Sequence, residues 1–216
     1  MRATLIGATG LIGSHLLDFL LNDEYFNAVR ILIRRPVELN HPKLEKKLVD
    51  FSDRESFRLA MEDSDVVFCS IGTTQKKVKG DMDAYRKIDF DITVNAARFC
   101  KLNACETFVF VSSVGANSKS NNFYLKLKGE IEDAVKAVGL KNVHIMQPSL
   151  LLGNRNESRF GEKIAQWVMP VVSFLTPPKY KPVQAAMVAK AMFNSSKKKS
   201  AGTYIYNFKE IKALAV

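Results

Sequence analysis

Apolar positions along this chain fall into two alternating registers. Short continuous apolar runs alternate with longer stretches in which apolar residues return every third or fourth position. The runs at 3–6, 29–33, 65–70, 107–111 and 143–146 are rich in Val, Ile and Phe and predict buried strands, with a further short strand at 47–51. The periodic stretches predict helices over 12–21, 53–61, 84–102 and 122–138; in the third, Tyr85, Ile88, Ile92, Ala96 and Phe99 form an apolar stripe. Strand followed by helix, repeated, predicts an α/β architecture with a doubly wound parallel sheet covered on both faces. Beyond Pro148 the alternation lapses. Leu150 to Gly153 lead into a polar loop at 154–159, an apolar helix through Trp167, Met169 and Val172, and a break at 176–179. A helix over 183–193, a strand at 203–206 and a terminal helix complete the reading. The expectation is one domain over 1–216, with a ligand-binding core at 1–147 and a short cap at 148–216, too small for a second domain.

Between the first run and the first helix stands Gly7-Ala8-Thr9-Gly10-Leu11-Ile12-Gly13. A strand that enters a helix through glycines places backbone N–H groups at a positive helix end, which suits a pyrophosphate. The first glycine allows the tight turn, the second the approach of the ligand, and the third close packing of helix on strand. The spacing differs from the commoner G-x-G-x-x-G, so the motif needs support from elsewhere. Support comes from the end of the second strand. There a fold of this Rossmann type places an acidic residue against the ribose of NAD. This chain has Arg34 followed by Arg35, whose guanidinium groups can fork onto a 2′-phosphate, and this favours NADP(H). Asp50 and Phe51, after the third strand, are expected near the adenine. Ile71, Gly72 and Thr73, at the exit of the fourth strand, lie where the backbone passes the cofactor. The lysine-rich stretch at 75–81 reads as a mobile loop or lid.

A second signal is Tyr124-Leu125-Lys126-Leu127-Lys128. Tyr124 and Lys128 are four residues apart and share a helix face. A lysine ammonium beside a phenol favours the phenolate, which lets tyrosine act as acid or base. Ser112 and Ser113 end the preceding strand; Ser113 is the first choice for a hydroxyl that stabilises charge on a substrate oxygen, with Ser112 as the alternative.

These stretches, with Val111-Ser112-Ser113, resemble the short-chain dehydrogenase/reductase superfamily. Within it, Cys69 to Thr74, Ile88 to Asp91, Ser118 to Glu132 and Gln147-Pro148-Ser149-Leu150 are similar to small atypical members related to the Tat-interacting oxidoreductase-like protein. The resemblance spans nearly the whole chain. It implies a Rossmann fold binding NADPH, with Tyr124 as catalytic acid/base, Lys128 holding the nicotinamide ribose and Ser113 orienting the substrate. It also places Thr9, Gly10, Leu11, Ile12, Gly13, Ser112, Pro148, Leu150 and Leu151 against the cofactor. One position departs. Where many superfamily enzymes carry an active-site Asn, this chain has Asp89, and Asn95 lies one helical stretch later, so the proton relay through that position does not carry over.

Composition removes other classes. No apolar run approaches the ~20 residues that span a bilayer, and the N-terminal run is broken by glycines, unlike a secretory signal. Cys69, Cys100 and Cys105 are an odd number without C-x-x-C spacing and read as reduced, buried thiols of a cytoplasmic protein. The three histidines lack metal-ligand spacing, so no metal site is expected. The net charge of +10 is spread over short groups and reads as solvated surface, apart from Arg34-Arg35. No interleaving of aromatic and basic residues supports RNA binding. The sequence therefore predicts an NADP-dependent oxidoreductase acting on a small carbonyl or alcohol. Two alternatives stand: a redox-sensing regulatory or scaffold module that binds NADPH without turnover, and a nucleoside-diphosphate-sugar epimerase or dehydratase, against which the short tail counts. A monomer and a homodimer both remain open.

Overall fold

The computed structural model describes residues 1–153, 180–198 and 200–216. Its centre is β1 (Arg2–Ile6), in which every residue after Arg2 is buried. A strand buried on both faces needs apolar side chains at successive positions, and the sequence supplies Leu5 for one face and Ile6 for the other. The same logic builds β2 (Ala28–Ile33), β4 (Val66–Cys69), β5 (Thr107–Val111) and β6 (Asn142–Met146). With β3 (Leu44–Leu48) and β9 (Gly202–Tyr206) they form a seven-stranded sheet, ordered β3-β2-β1-β4-β5-β6-β9 and parallel throughout.

Two apolar layers close the sheet. On one face Leu16, Leu17 and Leu20 of α1 (Leu11–Asn22) pack with Phe26, Phe68, Met192 and Phe193. On the other, Phe57 of α2 (Arg54–Leu59) joins Phe99, Phe108, Phe110 and Ile145, beneath α4 (Ile92–Leu102) and α5 (Phe123–Ala137). Each fully buried Leu or Phe contributes about 1.5–3 kcal/mol. This is the doubly wound Rossmann architecture that the alternation of strand and helix predicts.

Two secondary-structure assignments differ from expectation. The third strand lies at 44–48 rather than 47–51. It is the sheet edge, where solvent tolerates Glu45, Lys46 and Lys47, so it carries no apolar run. The apolar signal at Val49 and Phe51 belongs to the turn after it, where Phe51 meets the Phe57 ring edge-on at 4.8 Å. The stretch at 75–81 is wound into hydrogen-bonded turns, with Lys77 N–H donating to the Thr74 carbonyl and Gly80 N–H to that of Gln75. The division of core and cap at residue 147 does not follow the packing. Residues 183–216 supply β9, α6 (Ala185–Ser196), which lies on α1, and α7 (Phe208–Leu214). Val183–Gln184, expected as helix, is the short strand β8, paired in parallel with β7 (Leu151–Leu152). The loop at 154–159, the helix through Trp167 and the break at 176–179 lie outside the described residues.

Candidate active site

The strand order reverses between β1 and β4, and a crevice opens there at the carboxyl ends of the strands. The glycine turn lies in it. Gly7 has φ +91°, and a Cβ there would sit 2.9 Å from the Ser70 carbonyl carbon of the β4 exit. Gly10 donates its N–H to the Gly7 carbonyl at 2.9 Å. A Cβ on Gly13 would lie 2.0 Å from the same carbonyl, so helix and strand approach as only glycine permits. Gly10 is the N-cap of α1, with no side chain capping the helix and no acidic residue in its first turn. Among the described residues the first amides of α1 therefore have no side-chain acceptor, and the positive end of the helix dipole faces the crevice. These features fit a dinucleotide pyrophosphate.

Two clefts meet at this turn. The first, 770 Å³, is bounded by Gly7, Thr9 and Gly10, by Arg34 and Arg35 at the β2 exit, and by Phe51. The second, 800 Å³, holds Tyr124, Lys128, Ser112, Thr73 and Asp89. Leu11, Ser70, Ile71 and Gly72 line both, which makes them one continuous groove.

Tyr124 and Lys128 take their places from α5, whose start is fixed by the Asn122 side chain accepting from Leu125 N–H at 3.1 Å. Tyr124 is 39% exposed and Lys128 only 5%. The Lys128 Nζ lies 5.8 Å from the Tyr124 ring centre and donates to Asp89 Oδ2 at 2.8 Å. Asp89 comes from a π-turn, Lys87–Asp91, that joins α3 (Met82–Arg86) to α4. Such an inserted residue re-aims side chains and recurs at functional sites. Asp89 is 1% exposed, and its Oδ1 accepts from Thr73 N–H at 2.7 Å. Burial penalises the Lys128 ammonium, but the Asp89 carboxylate, helped by the Tyr124 phenol, outweighs this and holds its pKa above the ordinary 10.5. Burial pushes the nearby Cys69 thiol up, so it stays protonated.

The two serines separate. Ser112 lines the cleft, and its hydroxyl donates to the buried Glu132 carboxylate at 2.5 Å; the same oxygen accepts from Gln147 Nε2 at 2.8 Å. Ser113 does not line the cleft, and its hydroxyl lies 3.4 Å from the Val114 carbonyl. The structure thus brings together Gly7, Thr9, Gly10, Leu11, Ile12, Arg34, Arg35, Phe51, Ile71, Gly72, Thr73, Ser112, Tyr124, Lys128, Pro148 and Leu151. Outside the groove's lining lie Ser113, Gly13, which packs instead, Leu150, and Asp50, whose carboxylate binds the Ser52 N–H and hydroxyl. Asp50 is held below the usual carboxylate range by those two bonds. Residues given no site role in the sequence also line the groove: Ser14, His15, Lys77, Tyr85, Asn122 and Phe123. His15, one turn into α1, and Lys77, in the basic run, carried no motif to mark them.

Comparison with known proteins bears on the family and the fold. A family model described as NAD(P)H-binding matches residues 7–173. Protein FMP52, mitochondrial, of Candida albicans is 34% identical over 173 residues, which cover 78% of this chain and 75% of that protein. Protein HTATIP2 of Rattus norvegicus is 32% identical over 165 residues, 75% of this chain and 67% of the relative. Among solved structures, MoeE5 in complex with UDP-glucuronic acid and NAD superposes with a TM-score of 0.75 at 16% identity, over 96% of this chain and 76% of the other. Vestitone reductase from alfalfa (Medicago sativa) gives 0.67 at 19% identity, over 95% and 76%. At these identities the structural likeness concerns the fold. The FMP52 relatives carry a mitochondrial name, which overturns the cytoplasmic expectation. That expectation rested on three cysteines, all free and buried in the structure; reduced thiols report a redox state and not an address.

Proposed function

Because the chain belongs to the NAD(P)H-binding family of atypical short-chain dehydrogenases/reductases, we propose that it is an NADP-dependent oxidoreductase acting on a small carbonyl or alcohol. One observation carries the reading: an uncapped helix N-terminus flanked by two arginines opens into the same groove as the Tyr124–Lys128 pair. The amides of α1 take the pyrophosphate, and Arg34 and Arg35 take the 2′-phosphate as forked donors. Lys128, already charged and held, takes the ribose hydroxyls. When bound, the cofactor supplies or accepts the hydride. Tyr124, exposed to the groove, gives its phenolic proton to the substrate oxygen during reduction and recovers it in the reverse direction. The nearby ammonium stabilises the phenolate so formed.

The test is consumption of NADPH over a panel of aldehydes and ketones, wild type against Tyr124→Phe. Turnover should fall about 10²–10⁴-fold in the variant, with NADPH affinity unchanged. Undiminished turnover would remove Tyr124 from the chemistry. One feature favours a second reading, a protein that binds NADPH and signals its redox state. Among the described residues, the Ser112 hydroxyl is committed to Glu132 and Ser113 is off the groove, so neither serine offers its proton to a substrate oxygen. Tight NADPH binding without turnover on any carbonyl would support that reading.

A further inference from the structure

We propose that Asp89 is a positioning residue of the redox site, the fixed counter-ion that keeps Lys128 charged and pins it to the β4 exit. The inference rests on the role given to Lys128 above. Asp89 uses both carboxylate oxygens: Oδ2 holds the Lys128 ammonium at 2.8 Å and Oδ1 holds Thr73 N–H at 2.7 Å. The Thr73 carbonyl is gripped from the same helical stretch, because Tyr85 Oη donates to it at 3.1 Å. Tyr85 and Asp89 are four residues apart, so one helix face takes hold of both sides of Thr73, and one carboxylate passes that hold on to the lysine. All four residues line the groove. An ion pair that only supported the fold would have no reason to face it.

The charge matters as much as the position. The titratable groups acting on Lys128 are Asp89 from the π-turn, Cys69 from β4 and Tyr124 from its own helix, while Tyr85 of α3 and Lys76 line the same cleft. Glu132, one turn further along α5, is engaged by Ser112, Gln147 and Lys136. Cys69 is a protonated thiol, Lys76 is a like charge and the Glu132 carboxylate is paired elsewhere, which leaves Asp89 as the anion in direct contact with Lys128 that offsets its burial. Burial of an ammonium without a partner favours the neutral amine. A neutral lysine would neither stabilise a phenolate nor hold ribose oxygens as a charged donor.

The experiment is NADPH binding, followed by cofactor fluorescence from about pH 7 to about pH 9.5, where a buried lysine without its counter-ion titrates. Wild type, Asp89→Asn and Asp89→Asn/Lys128→Arg are compared. Asn keeps an oxygen for Thr73 N–H and removes only the charge; Arg stays charged at every pH used. The expected result is a flat profile for wild type, a loss of affinity of at least tenfold with rising pH for Asp89→Asn, and a flat profile again for the double variant. A uniform loss at every pH, or none, in Asp89→Asn overturns the proposal while leaving the cofactor assignment intact. Wild type that binds no nicotinamide cofactor overturns the functional reading and this one with it. Should Asp89→Asn not fold, a folded double variant with a flat profile supports the proposal. Failure of both variants to fold shows a pair serving the fold alone and overturns it.

Discussion

Replacing Gly13 with alanine tests the glycine turn more sharply than removing any charged residue. The new Cβ would stand 2.0 Å from the Gly7 carbonyl oxygen and 2.8 Å from both the Gly7 carbonyl carbon and Ser70 Oγ. An ordinary carbon–oxygen contact needs about 3.4 Å, so α1 and the β1 exit must part by roughly 1.4 Å. The Ser70 hydroxyl can rotate away, but the closest atoms are those of the Gly7 backbone carbonyl, which cannot. Overpacking of this kind costs about 3 kcal/mol, the upper end of its usual range. For a chain of this size that lowers Tm by about 6–12 °C. Gly10→Ala is the internal control. Gly10 has φ −81° and ψ 170°, which any residue adopts, and its Cβ would lie 3.2 Å from the same carbonyl. It should cost under about 1 kcal/mol, or up to about 4 °C. Its methyl group lies at the mouth of the anion seat, however, so NADPH affinity should drop about tenfold or more. Thermal melts with and without NADPH separate the two effects. A Gly13→Ala protein that melts within about 2 °C of wild type, or that melts above Gly10→Ala, would refute the reasoning.

Three further outcomes follow from the geometry. Joint replacement of Arg34 and Arg35 by alanine should reduce the ratio of NADPH to NADH affinity at least about tenfold, near 1.4 kcal/mol, with NADH binding unchanged; an unaltered ratio would remove the arginines from 2′-phosphate recognition. His144 is held neutral in the folded protein, with its pKa lowered from 6.5 to about 4 by burial and then by Lys198. Because the folded pKa lies below the unfolded one, this contribution to stability is whole above about pH 6.5 and is lost as pH falls toward about 4, in total about 3 kcal/mol. Urea unfolding at both pH values should show a smaller acid loss for His144→Phe by that amount, and parallel pH profiles would contradict it. Glu132→Leu leaves Ser112 Oγ and Gln147 Nε2 without their acceptor and should lower the unfolding free energy by about 2–4 kcal/mol; an unmoved urea midpoint would show that the two strand ends do not depend on it.

Much of the fold was legible where local pattern and tertiary environment agree. The run at 107–111 coincides with β5, and the periodicity over 84–102 finds the long helical stretch, because each is buried on the side its pattern indicates. Legibility failed where pairing is distant. Nothing local in Gly202–Tyr206 says that it runs parallel to β6, and nothing in Val183–Gln184 foretells Leu151–Leu152 as its partner. The site behaves the same way. Tyr124, Lys128 and Glu132 stand at i, i+4 and i+8 on α5, a stripe visible in the sequence, but the strand ends that Glu132 grips come from 112 and 147. Ser112 and Ser113 differ by one step along the strand exit, and one step reverses the face. Asp89 did leave a signal: an acidic residue between Ile88 and Phe90, four positions after Tyr85, sits where an apolar stripe should pass.

The helix whose amino end opens into the groove cannot complete its own surroundings. Its apolar side is covered by α6, and the two ends of this arrangement are latched by Lys197 on Asp23, across 174 residues of chain. A ribosome delivers the glycine turn well before the helix that backs it. Until α6 emerges, Leu16, Leu17 and Leu20 have their sheet-side neighbours such as Phe26 and Phe68 but lack Met192 and Phe193. A nascent chain halted before residue 185 would therefore carry the whole glycine motif on a helix whose outer apolar side is still uncovered.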